Sequence, residues 1–165
     1  MIGNIKIIAV CMCKVYDERN YRIIRALNNF AVENDYRLFV YHTCSDLYWK
    51  TLSEKGEQSV FDLIDYNITD AVVTFEEGVY AENVMTKIRM DAAQYGKPVI
   101  SVGVEHDDCI SIKFGYAKGF EQVVRHVIEQ HGVRDIGFIA GRKDEENSEE
   151  RIAVFRKLLE EYDIP

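Results

Sequence analysis

The chain has 165 residues, 47% hydrophobic and 29% charged, which is enough for a domain-sized core in a globular protein. Its formal net charge is −8, and its 20 Lys and Arg are dispersed among 28 Asp and Glu, which argues against the basic patch of a nucleic-acid-binding surface. No run approaches the ~18 apolar residues needed to span a membrane, and the opening MIGNIKIIAVCMCK has no small-residue cleavage site, so it reads as a first strand and not a signal peptide.

Strand-like and helix-like segments alternate along the whole chain. Ile5–Met12 is an apolar run. Tyr21–Glu33 follows with Ile23, Ile24, Leu27, Phe30 and Ala31 at helical spacing. Tyr36–His42 reads as a strand from its aromatic and β-branched content, and Ser59–Tyr66 as a short helix with Val60, Leu63 and Ile64 on one side. Ala71–Phe75 is the third strand. Glu82–Tyr95 is a helix closed by Gly96 and Pro98. Pro98–Val104 and Cys109–Phe114 are the fourth and fifth strands. Tyr116–His131 is a helix with Phe120, Val123, Val124, Val127 and Ile128 as its apolar stripe, ended by Gly132. Ile136–Ala140 is a predicted sixth strand, and Ser148–Tyr162 a last helix with Ser148 as N-cap.

The first, third and fourth strands are apolar on both faces, as parallel strands covered by helices on each side must be. The expected fold is α/β: a doubly wound, mostly parallel sheet of five to six strands with helices on both faces. In such sheets ligands gather outside the carboxyl ends of the strands. That edge corresponds to the loops 14–20, 43–55, 76–81, 105–108 and 141–147, and it holds the candidate ligand-binding residues Tyr16, Asp17, Ser45, Asp46 and Glu76.

The motifs that would make such an edge catalytic are missing. CKVYDERN after the first strand contains no glycine, and neither GxGxxG nor GxxxxGK[ST] occurs, so nothing recommends a dinucleotide or nucleotide cofactor. A phospho-receiver would need acids after the first strand and an Asp ending the third, where Cys11-Met12-Cys13 and Thr74-Phe75-Glu76 stand instead. No GxSxG elbow occurs. His42 and His106 lie near strand ends, but a lone loop histidine is more often solvated or locally hydrogen-bonded than catalytic. Cys11 and Cys13 point to one face of a strand, with no CxxC spacing, so Cys11, Cys13, Cys44 and Cys109 read as reduced thiols and no metal site is expected. The acidic runs at Glu76-Glu77, Glu105 to Asp108 and Asp144 to Glu150 lack the alternating oxygen ligands of a calcium loop and read as solvated. Tyr16, Tyr48, Trp49 and Tyr80 could equally stack on a ring-shaped ligand or cap the core.

The closing HGVRDIGFIAG…SEERIAVFRKLLEEYDIP, with this order of elements, resembles the sensor domain of the lactose-repressor (LacI/GalR) family, a periplasmic-binding-protein-like domain of type I. The family pattern is a helix with a His near its end, closed by Gly, then a strand ending in Gly, then Ser or Ala, Arg and an aromatic. His126, Gly132, Gly141, Ser148, Arg151 and Phe155 fill those places. GEQSVFDLIDYNITDAVV and VIEQHGVRDIGFIAG look more like sensor domains fused to GGDEF-type diguanylate cyclases.

The resemblance implies a non-catalytic sensing domain of a bacterial, cytoplasmic signalling protein that acts without a cofactor. Residues 1–132 would form the first lobe and 133–165 the beginning of a second, with a small-molecule effector in an interlobe cleft that is incomplete here. Arg151 matches a position that often contacts ligand. The absence of proline in the first loop, Gly115-Tyr116 after the fifth strand and Val154 in place of a usual Gly point away from a conventional sugar. No contact of this stretch with nucleic acid or membrane is expected. Ile136, Phe138, Ile152, Phe155 and Leu159 would be exposed on the second-lobe segment, which predicts a homodimer or a six-stranded rearrangement. The alternatives are a degenerate sensor that serves only as a dimerisation module and, behind it, a small α/β enzyme using His42 or His106.

Overall fold

From Ala9 onward every residue of β1 (Lys6–Cys13) is buried, so this strand is covered on both faces and flanked on both edges. The computed structural model describes residues 5–143 and 145–165. After β1 come α1 (Glu18–Glu33), β2 (Tyr36–Thr43), α2 (Leu52–Gln58), a 3₁₀ turn over Ser59–Leu63, β3 (Ala71–Phe75), α3 (Glu82–Gln94), β4 (Val99–Val102), β5 (Ile110–Ile112), α4 (Tyr116–His131) and α5 (Glu146–Glu161). The sheet runs β2-β1-β3-β4-β5, and every pairing is parallel. Doubly apolar strands thus form the parallel α/β sheet that their composition requires.

Alternation along each strand sorts two cores. Ala9, Cys11 and Cys13 of β1 face Phe61, Met85, Ile88 and Ala92 from the 3₁₀ turn and α3. Val10 and Met12 face the other way, with Val73, Val102 and Ile24 of α1. β4 and β5 are joined only by the Gly103–Cys109 connection, without a helix. Ile110 and Ile112 remain 63% and 49% exposed, so β5 is a short, half-covered edge.

Two elements differ from the sequence reading. The helix expected over Ser59–Tyr66 begins earlier, at Leu52, because Thr51 and Glu54 form a reciprocal capping box: Thr51 Oγ1 accepts from the Glu54 amide at 3.2 Å, and the Glu54 carboxylate accepts from the Thr51 amide at 2.9 Å. The chain then tightens into the 3₁₀ turn and leaves helical geometry at Ile64. The sixth strand does not form: 136–140 carry no ladder. A strand needs a neighbour to take its N–H and C=O groups, and among the described residues the segment's own unit holds two helices and no strand.

Packing divides the chain into two compact units, one extending to Lys113 and the other Phe114–Pro165. Within the second unit the apolar stripe of α4 packs on α5: Val124 and Ile128 are buried with Leu158 and Ile164. Of the residues expected as an open patch, Ile136, Phe155 and Leu159 join this cluster. Phe138 sits with its ring 5.1 Å from Phe120 and 5.2 Å from Phe155. Val123, expected in the stripe, is 60% exposed. Outside the cluster, Arg125 grips the Glu161 carboxylate at 2.6 and 2.7 Å and the Tyr162 hydroxyl at 2.9 Å, tying α4 to α5. Gly132, at φ +63°, closes α4 in the left-handed conformation. α5 starts at Glu146, so Ser148 is inside it and not its cap. Its buried Oγ would meet a Cβ at Gly141 at 2.8 Å, which fits the close Gly–Ser approach at this turn.

Candidate functional site

Because all strands of the first unit are parallel, their carboxyl ends share one edge. Three of the non-glycine residues with positive φ lie in the loops of that edge: Lys14 (+46°), Leu47 (+62°) and Lys50 (+53°). A left-handed bulky residue costs about 1–2 kcal/mol. Leu47 tolerates it because its side chain is fully buried beneath the β2–α2 loop.

Asp46 joins three loops. Its Oδ2 accepts from Lys14 Nζ at 2.9 Å, its Oδ1 accepts from the Tyr48 amide at 3.4 Å, and its carbonyl accepts from the Tyr80 amide at 2.8 Å. The Lys14 hydrogen bond holds the Asp46 carboxyl below the usual carboxylate range, and the same bond raises the Lys14 ammonium. Ser45 is held from beneath: Glu57 Oε2 accepts from the Cys44 and Ser45 amides at 2.8 and 2.9 Å and from the Ser45 hydroxyl at 3.2 Å.

Glu76, the residue after β3, sits in a buried network. Arg89 Nη1 donates to both of its carboxylate oxygens at 2.9 Å, Thr74 Oγ1 donates to Oε1 at 2.8 Å, and His106 Nε2 lies 2.9 Å from Oε2. Next to it, Arg19 Nη2 pairs with Glu77 at 2.7 Å. The β4–β5 connection is pinned to this network through His106, whose amide donates to Ser111 Oγ at 2.9 Å.

Tyr16, in contrast, is 81% exposed, with its ring edge-on to His42 at 5.4 Å. Asp17 precedes α1 in the N-cap position, but its side chain makes no capping hydrogen bond. Tyr48 meets Trp49 and Tyr80 edge-on at 4.7 and 5.4 Å, and Trp49 is 76% exposed. A small groove at this edge is lined by Lys50, Lys55, Gln58, Tyr80, Ala81 and Asn83.

Tyr16, Asp17, Ser45, Asp46 and Glu76 thus lie together at one edge, while Ser45, Asp46 and Glu76 are engaged by Glu57, Lys14 and Arg89. These three partners were missed in sequence. Arg89 carried a readable signal, since it occupies the buried stripe of α3 with Met85, Ile88 and Ala92, where a charge demands a partner. Glu57 and Lys14 carried none. Arg151 belongs to the second unit, where its guanidinium lies 5.7 Å from the Tyr116 ring centroid.

The edge offers little for covalent chemistry. Burial pushes the Cys11 and Cys13 thiols upward, away from thiolate reactivity, and the Cys13 thiol donates to the Gly78 carbonyl at 3.4 Å. His42 Nδ1 lies 3.3 Å from the Thr43 carbonyl. Among the described residues, no group of three or more His, Cys, Asp or Glu is arranged to hold a metal ion, and no helix is long and apolar enough to cross a membrane. Asp144 of the last acidic run lies outside the described residues.

No protein-family model and no curated protein matches the chain. Its fold is shared with solved structures. The transcription regulator CcpA of Lactococcus lactis matches 97% of this chain at 20% identity and TM-score 0.70. A sugar-binding LacI-family regulator from Enterococcus faecalis matches 100% at 16% identity and TM-score 0.67. A LacI-family CcpA from Weissella paramesenteroides with bound glucose matches 97% at 15% identity and TM-score 0.69. Each match covers 55% of the solved chain, so this chain spans about half the length of those structures. What is shared is the fold, a five-stranded parallel α/β sheet with helices, over about half of each of these LacI-family regulators.

Proposed function

We propose that this chain is a non-catalytic, ligand-sensing part of a bacterial, cytoplasmic signalling protein, either a LacI-type regulator or a sensor linked to a GGDEF cyclase. The observation that carries this reading is the match of essentially the whole chain to LacI-family regulators, one of them with bound glucose. The lobes named from the sequence, 1–132 and 133–165, belong to this proposal, as does a homodimeric state. The ligand is a small molecule at the carboxyl ends of β1, β2 and β3, where exposed Tyr16 and Trp49 supply ring faces beside the Lys14–Asp46 pair. The sequence resemblance assigns Arg151 a ligand contact.

A specific observation favours a second reading, a degenerate sensor that serves as a dimerisation module: Ser45, Asp46 and Glu76 are bound to the chain's own Glu57, Lys14 and Arg89.

Thermal unfolding with a panel of sugars and other small metabolites tests both, since a ligand selective for the native state must raise the melting temperature. Sensing predicts a saturable rise for at least one compound that Arg151→Ala diminishes. No rise across the panel, together with a concentration-dependent dimer in sedimentation, would replace sensing by the interaction module.

A further inference from the structure

α4 ends on two histidines that the sensing role leaves unused. His126 is on the exposed side of the helix, and His131 is in its last turn, just before left-handed Gly132. The ring of His131, the last residue of α4, lies against that of His126 five residues earlier. Their Nε2 atoms are 3.1 Å apart, with ring centroids at 4.9 Å and planes crossing at 78°.

We propose that His126 and His131 form a two-imidazole surface site for a divalent transition ion of the zinc or nickel type. Imidazole nitrogen suits these ions. With metal–nitrogen bonds of about 2.0–2.1 Å, nitrogens 3.1 Å apart subtend roughly 100° at the metal, between the octahedral and tetrahedral angles. The Nε2 proton of the donating ring moves to its Nδ1 through solvent, so two neutral imidazoles bind with no net loss of a proton. One ring turns about Cβ–Cγ to aim its lone pair, which its exposure permits. Water completes the coordination, since no third His, Cys, Asp or Glu joins the pair among the described residues.

Two charged residues close in sequence to His131 are engaged with other groups. Arg134 Nη1 donates to the Ile128 and Val133 carbonyls at 3.2 Å, at the end of α4. The Glu129 carboxylate accepts from the Tyr162 hydroxyl. A bound ion would link the last turn of α4 to the turn before it and so oppose fraying of that end.

Calorimetric titration of the chelator-treated full chain with zinc chloride near neutral pH tests the site. Expected is one ion per chain, at least tenfold weaker binding in both His126→Ala and His131→Ala, and unchanged binding in Cys44→Ser, which removes an exposed competing thiol. In carbon–proton NMR spectra the imidazole signals of His126 and His131 should move while those of His42 and His106 stay. The proposal is overturned if both histidine variants bind zinc as the parent does, if the moving signals are those of other histidines, or if no binding occurs up to about 1 mM zinc.

Discussion

Arg89 Nη1 donates to both carboxylate oxygens of Glu76 at 2.9 Å, and each residue is only 7% exposed. A charge pair this deep is held together by mutual need more than by net gain. Removing one partner strands the other in a low dielectric, whereas replacing both by apolar groups of like volume is often neutral. Thr74 and His106 add hydrogen bonds to the same carboxylate, so β3, α3 and the β4–β5 connection meet at one buried point.

Glu76→Ala should therefore destabilise the chain by about 3–5 kcal/mol, and the Glu76→Leu/Arg89→Met double variant should recover most of that loss. Urea denaturation of the three proteins measures both. A double variant as unstable as Glu76→Ala would mean that the network stabilises through its hydrogen bonds and not through charge pairing.

The Lys14–Asp46 pair has a pH signature. The folded Asp46 carboxyl is lowered, so its stabilising effect is complete above its unfolded value of about 3.9 and disappears as pH falls through the lower folded value. The folded Lys14 ammonium is raised, so its effect is complete below about 10.4 and disappears as pH rises through the higher folded value. The side chains are 37% and 29% exposed, so solvent screens the pair to about 0.5 kcal/mol. Lys14→Met should lose that amount at neutral pH and match the parent at both extremes. Urea midpoints measured against pH report the difference, and a gap that does not vary with pH would contradict the pairing.

Gly103 and Gly78 separate strain from collision. Both have positive φ, +102° and +80°, so alanine is conformationally strained at either position. A Cβ at Gly103 would lie 2.5 Å from Glu77 Cβ, whereas one at Gly78 meets nothing within 4 Å. Gly78→Ala should cost about 1 kcal/mol. Gly103→Ala should cost clearly more, because the β4–β5 connection must move off Glu77, and Gly103 also donates to the Ile112 carbonyl at 2.8 Å. Equal losses in thermal unfolding would show that the connection yields freely.

Much of the layering was legible because it rests on local periodicity. Doubly apolar β1, β3 and β4 required a covered parallel sheet, and the stripe of α4 required a partner. α2 was misread because the short apolar run at Val60, Leu63 and Ile64 outweighed the Thr51–Glu54 capping box, although that box was present in the residue types. The candidate edge was legible as a set of loops, but the state of its side chains was not. Nothing in the spacing of Ser45 and Glu57, or of Lys14 and Asp46, says that they meet, since their contact depends on where parallel strands end relative to one another.

By itself, then, the sequence determined that strands and helices alternate, that strands apolar on both faces lie in a parallel sheet, and that α4 stops at Gly132. These follow from side-chain period and backbone sterics over a few residues. Only the tertiary structure decided that Glu76 is a buried anchor instead of an open acid, that α4 packs with α5, and that 136–140 form no strand. Each of these turns on partners distant in sequence, because a buried charge, an apolar stripe and a strand's amide groups take their state from what is packed beside them.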